Sequence, residues 1–310
     1  MNYLIVIVGA TAVGKTDLAI RLALELGTEI VSADSRQFYK EMTIGTAKPS
    51  EEELALVKHH FINSHHIFNE YNAGQYEKDI LSLLDKLFQK HQTVIMVGGS
   101  GLYIKAVCEG FDSMPDIAQD LREKLQTELE ENGLDVLLVE LKKTDADYYE
   151  QVDKANPQRI LRALEVIRST GKPYSSFRKK EQSLNVSHNQ STKRKLGFEI
   201  IKIGIDRPRE ELYERIDTRI DTMLNMGLLE EAKSLYSYKN INALQTVGYQ
   251  EVFDFLDGKF PWEETVRLLK RNSRRYAKRQ LTWFRKDSSI SWFGADEIEK
   301  ILTFLKGKIT

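Results

Sequence analysis

Strand-like stretches alternate with segments of helical periodicity over the first third of the chain. Continuous apolar runs predict buried parallel strands at 3–8 and 93–97, and mixed stretches of strand character predict further strands at 28–33 and 198–205. Apolar residues at helical spacing predict helices between and after the first three of these stretches in the chain, at 17–26, 74–89 and 103–109. Strands that alternate with helices in this order are typical of an α/β fold with helices on both faces of a parallel sheet.

The middle of the chain has a different pattern, without a convincing buried strand. Polar and apolar positions there predict helices at 121–131 and 158–170 and a basic loop at 175–195. Asn156 before the second helix and Gly171 after it are typical of helix ends. We therefore predict a helical insertion domain at 115–195, inside a core formed by 1–114 and 196–310.

The last third of the chain is predicted to be mainly helical, with segments at 208–225, 228–238 and 265–285. Nine Lys or Arg residues and no acidic residue lie between Arg267 and Lys286. At about 100° per residue, one face of this helix carries Arg267, Lys270, Arg271, Arg274 and Lys278. We favour a surface that contacts nucleic-acid phosphates over a solvated helix face. Arg159, Arg162 and Arg168 indicate a second, weaker patch.

Composition restricts the classes of protein to which the chain can belong. The 310 residues have a formal net charge of −1, which gives no general attraction to nucleic acid. The single cysteine, Cys108, excludes a disulfide within the chain and a cysteine-based zinc finger. No apolar stretch reaches 18 residues and the N-terminus lacks the pattern of a signal peptide. We expect a cytoplasmic protein without a membrane span, and a monomer.

Four histidines, His59, His60, His65 and His66, raise the question of a metal site. Only Glu70 and Asp79 follow within reach, and no cysteine lies nearby. We therefore favour polar histidines at a surface or a strand edge over metal ligands.

The first apolar run leads directly into a glycine-rich segment, Gly9-Ala10-Thr11-Ala12-Val13-Gly14-Lys15-Thr16, which fits GxxxxGK[ST]. Backbone N–H groups of such a loop surround a phosphate, and the following helix adds the positive end of its dipole. We expect Lys15 to contact the terminal phosphates and Thr16 to bind Mg²⁺. The segment predicts a P-loop NTPase-like sheet that binds a di- or triphosphate, without indicating which one.

Polar residues follow two further strands of the predicted sheet. Asp34 and Ser35 come after the second strand, and Gly98-Gly99-Ser100-Gly101 follows the third. The carboxyl ends of parallel strands are where open α/β sheets place their ligands. We expect these residues to lie near the phosphate loop.

Seven segments, in order and over nearly the whole chain, resemble the tRNA dimethylallyltransferase family, also called the tRNA isopentenyltransferases. They are GATAVGKT at 9–16, SADSRQFYKEMTIGTAKP at 32–49, MVGGSGLYIKAVCEG at 96–110, NPQRILRALEVIRSTGKP at 156–173, IGIDRPREELYERIDTRIDTML at 203–224, LQTVGYQEV at 244–252 and AKRQLTWFRK at 277–286. Two departures are conservative: the family's GPTA is GATA here, and its VGGT is VGGS, which keeps a hydroxyl at Ser100.

The resemblance implies transfer of a dimethylallyl group from dimethylallyl diphosphate to the exocyclic amine of the adenosine immediately 3′ of the anticodon in tRNA. It implies a diphosphate cradle at Gly9–Thr16, Asp34 as the catalytic aspartate and Ser100 at the reaction channel. The implied contacts with the tRNA anticodon stem-loop are Asp34, Ser35, Arg36, Gln37, Ser100, Arg122, Gln158, Arg159, Ile160, Leu161, Arg162, Gln245, Thr246, Val247, Gly248, Tyr249 and Gln250. To these the basic helix adds Arg271, Arg274 and Lys278.

The chemistry of this transfer explains the residue types. An aromatic amine is a weak nucleophile, so a general base on its proton helps; Asp34 is the candidate, with support of Mg²⁺ as the alternative role. Lys15, the loop N–H groups and Mg²⁺ would stabilise the departing pyrophosphate. The adenine must leave its stack, for which Phe38, Tyr39, Tyr103 and Tyr249 are candidate stacking partners or core residues. Three other functions stay open: a small-molecule or nucleoside kinase, an isopentenyltransferase of free AMP, and a non-catalytic RNA-binding protein.

Overall fold

The computed structural model describes residues 1–110, 115, 117–178 and 196–309. The chain forms two compact units, one of Met1–Glu109 with Arg194–Thr310 and the other of Gly110–Lys193. The second unit coincides closely with the insertion that we predict at 115–195. Most of the predicted basic loop at 175–195 lies outside the described residues, and its first residues belong to a short 3-10 helix, Tyr174–Phe177.

A six-stranded, all-parallel sheet forms the centre of the first unit, with the strand order β3-β2-β4-β1-β5-β6. The strands are β1 (Asn2–Gly9), β2 (Ile30–Ser32), β3 (His59–His60), β4 (Thr93–Val97), β5 (Phe198–Asp206) and β6 (Ser291–Gly294). The four predicted strands are confirmed. β3 and β6 were not predicted because both are short edge strands that are only half-buried, so neither has a continuous apolar run.

The described part of the chain contains thirteen α-helices. They are α1 (Lys15–Leu26), α2 (Glu51–Leu56), α3 (Ala73–Leu87), α4 (Gly101–Glu109), α5 (Gln119–Asn132), α6 (Leu134–Thr144), α7 (Ala146–Gln151), α8 (Pro157–Thr170), α9 (Arg209–Asn225), α10 (Leu228–Leu235), α11 (Tyr249–Leu256), α12 (Trp262–Phe284) and α13 (Ile298–Lys306). Helices α5 to α8 belong to the second unit and the others to the first. Of the helices described, none is long and apolar enough to cross a membrane.

The core of the first unit lies on both faces of the sheet, because residues 3–8 of β1 are buried on both sides. Helix α1 covers one face, and α3 and α4 cover the other. Helix α12 contributes a buried residue to each of three apolar clusters: Leu269, Ala277 and Phe284. This one helix therefore connects the packing of the sheet with that of the C-terminal helices.

The second unit has a separate apolar core made by α5 to α8. Helix α8 begins and ends as its sequence predicts: the Asn156 side chain accepts a hydrogen bond from the Arg159 N–H at 3.3 Å, and Gly171 adopts a left-handed conformation at the other end. Arg168 bonds two glutamates, Glu128 at 2.7 Å and Glu140 at 2.6 Å. The weaker patch predicted from Arg159, Arg162 and Arg168 thus needs correction, since Arg168 belongs to an internal ion-pair network.

Candidate active site

The glycine-rich loop joins β1 to α1 at the carboxyl end of the sheet. Gly14 caps α1 with a φ of 105°, a left-handed conformation that favours glycine. The loop lines a cavity of about 650 Å³, together with Asp34 from the end of β2 and Arg219 from α9. A cationic loop and a carboxylate therefore face the same space, as expected for the ends of neighbouring parallel strands.

Lys15 lies inside this loop, and its Nζ donates to the Ala10 carbonyl at 2.7 Å. Burial, together with the positive charge of Arg219, lowers the pKa of Lys15 to about 8, while Asp34 opposes the shift. Because the buried amine has lost its hydration, its charged form is destabilised. An anion bound in the loop would relieve that cost, so the site is electrostatically suited to a phosphate group.

Three arginines, one just before α9 and two within it, hold the loop from outside. The Nε atoms of Arg207 and Arg215 donate to the Val13 and Ala12 carbonyls, each at 2.9 Å. Arg219 donates to the Thr11 hydroxyl at 3.3 Å, and burial lowers its pKa. We did not predict these residues as part of the site. Arg207 directly follows β5, and Arg215 and Arg219 lie four positions apart on one face of α9, but the sequence does not show that this face packs against the loop.

Two turns meet beside the loop, one after β2 and one after β4. The Asp34 carboxylate accepts the Arg36 N–H at 2.9 Å, and the Ser100 hydroxyl accepts the Ser35 N–H at 2.8 Å. The approach is close: a Cβ on Gly98 would lie 2.2 Å from the Ala33 carbonyl oxygen, so only glycine fits. Ser100 is thus placed to orient the turn that carries Asp34.

A residue of α12, Gln280, lies between the loop and the second of these turns. Its Oε1 accepts the Thr11 N–H at 2.8 Å and its Nε2 donates to the Gly99 carbonyl at 2.9 Å. The side chain is 7% exposed. The residue lies within the AKRQLTWFRK segment, but nothing in the periodicity of that segment distinguishes it.

A smaller cavity of about 100 Å³ adjoins the first one. Thr11, Asp34 and Arg219 line both cavities. The walls of the smaller one combine polar residues with an apolar side made by Ile216, Ile220, Met223, Leu228 and Val247. This apolar side lies next to the carboxylate and the cationic loop, and we call the cavity the apolar recess after it.

Four aromatic residues were candidate partners for a flipped base, and the structure corrects three of them. Phe38, Tyr39 and Tyr249 are buried in the core, with no ring face open to a nucleotide. The Tyr249 hydroxyl donates to Glu231 at 2.6 Å. Tyr103 is half-buried and donates to a backbone carbonyl, so it is the one of these four with an accessible part.

Most residues of the segment at 245–250 surround Tyr249 without sharing its burial. Gln245 and Gln250 are exposed and bond each other at 2.7 Å. Thr246, Val247 and Gly248 line the smaller cavity. Gln37 donates to the Thr46 and Ala47 carbonyls and so holds the loop that borders the larger cavity. The exposed and cavity-lining positions can contact a ligand, whereas the buried Tyr249 can only support them by packing.

The predicted tRNA contacts of the second unit divide in the same way. Gln158 and Arg159 are exposed at the start of α8. Ile160 and Leu161 are buried in the core of that unit, so their side chains do not face solvent. Arg122 and Arg162 both pair with the buried Glu165, at 3.3 Å and 3.0 Å, and these ion pairs fix their orientation.

The basic helix α12 presents two different cationic faces. The predicted face is partly closed: Arg274 pairs with Asp217 of α9 at 2.5 Å, and Lys270 pairs with Asp221 at 2.7 Å. Arg271 is half-buried, while Lys278 is exposed. The exposed residues form another stripe at helical spacing, Arg275, Lys278, Arg279, Thr282, Trp283 and Lys286. We call this set the outer stripe of α12.

His59 lines the larger cavity together with Thr16, the expected metal ligand, whereas His60 and His66 pair with carboxylates. His59 and His60 form β3, and His60 bonds Glu29 at 2.6 Å. His66 bonds Glu41 at 2.7 Å. Within the described residues no group of three or more His, Cys, Asp or Glu side chains could hold a metal ion. Thr16 lines the larger cavity together with Asp34, where a metal would need oxygen atoms from a phosphate ligand as well.

Comparison with known proteins agrees with this geometry. The family model described as IPP transferase matches residues 37–287. The chain is 51% identical to a tRNA dimethylallyltransferase of Cytophaga hutchinsonii over 99% of this chain and 98% of that protein. It is similar to the crystal structure of a tRNA isopentenylpyrophosphate transferase from Bacillus halodurans, with a TM-score of 0.71, 35% identity and coverage of 100% and 97%. A eukaryotic dimethylallyltransferase acting on tRNA gives a TM-score of 0.76 at 26% identity, over 99% of this chain and 77% of that one.

Proposed function

This chain belongs to the IPP transferase family, and we propose that it transfers a dimethylallyl group from dimethylallyl diphosphate to the exocyclic amine of the adenosine immediately 3′ of the anticodon in tRNA. One observation carries the assignment of roles: Lys15, Arg219 and Asp34 border one cavity, so a leaving-group site and a base lie side by side. The apolar recess adjoins both.

The proposed reaction is a substitution at the allylic carbon of the donor. The adenine amine forms a bond to that carbon while the bond from carbon to the diphosphate oxygen breaks, and pyrophosphate leaves with the bonding electrons. Asp34 takes the proton that the amine loses. Lys15 and the N–H groups of the loop stabilise the charge that grows on the leaving group.

The apolar recess supports the same arrangement. A dimethylallyl chain has five carbon atoms and no polar group, and the walls of the smaller cavity offer Ile216, Ile220 and Met223 to it. Burial of such a chain is favourable by about 25 cal/mol per Å² of apolar surface. We propose that the recess holds the chain while the loop holds the diphosphate.

Mg²⁺ is the proposed cofactor, and the donor atoms suit it. The Thr16 hydroxyl and the Asp34 carboxylate border the same cavity, and Mg²⁺ commonly keeps several waters and binds few protein ligands beside phosphate oxygens. When bound, it would neutralise charge on the diphosphate. The alternative is that Asp34 binds the metal instead of acting as the base, and a variant of Asp34 can distinguish these two roles.

The outer stripe of α12 is the proposed contact with the phosphates of the anticodon stem-loop. No carboxylate of the described residues is within ion-pair distance of Arg275, Lys278, Arg279 or Lys286. Trp283 is 43% exposed within the stripe and can stack on an unpaired base. Cations that are not held in ion pairs can bind RNA phosphates, and so release the counterions of the RNA, without first breaking an ion pair within the protein.

Reversal of charge in the outer stripe should weaken tRNA binding. For Lys278→Glu with Arg279→Glu we expect a loss of at least tenfold in tRNA affinity and a smaller dependence of affinity on salt, because each phosphate contact contributes about −0.7 to −0.9 to the salt slope. Filter binding at several salt concentrations measures both. The control is Lys86→Glu with Lys90→Glu at and after the C-terminal end of α3, both exposed and outside the stripe. An unchanged salt slope would mean that the stripe is only a solvated face.

The proposed reaction is tested by mass spectrometry of nucleosides from an unmodified tRNA transcript. The transcript is incubated with the protein, Mg²⁺ and dimethylallyl diphosphate, and free AMP is offered in parallel. We expect a dimethylallyl mass gain on the adenosine 3′ of the anticodon and none on AMP. Product on AMP alone would indicate an enzyme of free nucleotides, and phosphoryl transfer from ATP would indicate a kinase. Light scattering of the same sample tests the proposed monomer.

A further inference from the structure

We infer that Gln280 is a positioning residue that sets the distance between the diphosphate loop and the turn carrying the catalytic base. The inference rests on the proposed function, because the proposed transfer needs the diphosphate loop and the base to be aligned with each other. No periodicity in α12 identifies the residue.

A continuous series of contacts connects the two sites through this one amide. The Thr11 N–H of the loop donates to Gln280 Oε1 at 2.8 Å, and Gln280 Nε2 donates to the Gly99 carbonyl at 2.9 Å. Ser100 follows Gly99 directly, and its hydroxyl accepts the Ser35 N–H beside Asp34 at 2.8 Å. The loop and the base are therefore joined by three hydrogen bonds.

An amide side chain supplies both hydrogen-bonding roles that this position requires. One partner is a backbone donor and the other a backbone acceptor, so the side chain must accept with one atom and donate with the other. Gln280 is 7% exposed, so little of it is open to water that could replace a lost bond. A carboxylate could accept from Thr11 but could not donate to Gly99.

The fit on the other side is equally narrow. A Cβ on Gly99 would lie 2.2 Å from Gln280 Nε2, so any side chain there must displace the amide. Gly99→Ala is therefore a second variant that disturbs the same contact while Gln280 itself is unchanged. Two variants on opposite sides of one hydrogen bond should have the same kinetic effect if alignment is the role.

The test compares Gln280→Glu, Gln280→Met and Gly99→Ala with the wild-type protein in the transfer assay. We expect kcat to fall about 10–100-fold, because a misplacement of about 1 Å can cost 10²-fold in rate. We expect the KM for dimethylallyl diphosphate, the affinity for inorganic pyrophosphate with Mg²⁺, and the tRNA affinity to stay within threefold. The matched control is Gln92→Glu, an exposed position at the amino end of β4, with no expected effect.

The pH dependence of Gln280→Glu distinguishes positioning from general support of the fold. When protonated, the introduced carboxyl group can again donate to the Gly99 carbonyl, and burial raises its pKa. The ratio of variant to wild-type kcat should therefore rise as the pH falls. A flat ratio, or a kcat within threefold of wild type in all three variants, would overturn the inference. Absence of transfer by the wild-type protein would instead contradict the proposed function.

Discussion

Asp34→Asn should lower kcat for transfer to tRNA by about 10²–10⁴-fold, the usual contribution of a general base. Asparagine keeps an oxygen at the position that accepts the Arg36 N–H, so the turn after β2 should survive. It cannot take the proton from the adenine amine. We expect tRNA affinity within a few-fold of wild type, measured by filter binding beside single-turnover kinetics.

The same variant separates the two roles considered for Asp34. If the carboxylate mainly supports Mg²⁺, a higher Mg²⁺ concentration should restore most of the lost rate, and the Mg²⁺ midpoint should shift. If it acts as the base, the loss should persist at saturating Mg²⁺. Asp85→Asn, an exposed position on α3, is the matched control. A large loss of tRNA binding in Asp34→Asn would contradict the proposed base.

Lys15→Met should reduce kcat/KM for dimethylallyl diphosphate by about 10²–10³-fold, comparable to the loss of one preorganised donor to a developing anion. Methionine keeps an unbranched stem in the loop and removes the charge. Steady-state kinetics with varied dimethylallyl diphosphate measure the effect, and Lys90→Met at an exposed site is the control. Unchanged kinetics in the donor would exclude the loop as the diphosphate cradle.

The low pKa of Lys15 adds a pH dependence to diphosphate binding. The charged amine attracts the diphosphate and the neutral amine does not, so affinity for pyrophosphate should fall as the pH rises above about 8. Lys15→Arg keeps the charge at all these pH values. The ratio of wild-type to Lys15→Arg affinity, measured by calorimetry, should therefore decline above this pH; a constant ratio would show that Lys15 does not titrate in this range.

The sheet was predictable because its evidence is local. Buried parallel strands are typically continuous apolar runs, as β1 and β4 are, and β5 keeps four isoleucines around Glu199 and Lys202; the edge strands β3 and β6 have no such pattern and were missed. The phosphate loop and the turns at Asp34 and Ser100 follow such strands directly. Since the carboxyl ends of parallel strands lie at one edge of the sheet, their proximity followed from the strand order along the chain.

The tRNA-binding surface was only partly predictable. A helical wheel identifies residues that share a face, but it does not show which face packs on a neighbour. Arg274 and Lys270 share the predicted face and pair with α9, whereas the outer stripe remains exposed. Three of the candidate aromatic stacking partners were wrong for the same reason. Phe38, Tyr39 and Tyr249 are hydrophobic enough to fill a core, and they are buried there.

The sequence alone determined the parallel sheet, the phosphate loop and the carboxylate beside it, because each depends on residues within a few positions of one another. The tertiary structure alone decided which residues hold these parts in register. Gln280 bonds Thr11 across 269 positions, and Arg219 bonds it across 208. Hydrogen bonds over such separations depend on how α9 and α12 pack against the sheet, and local periodicity in the sequence does not predict that packing.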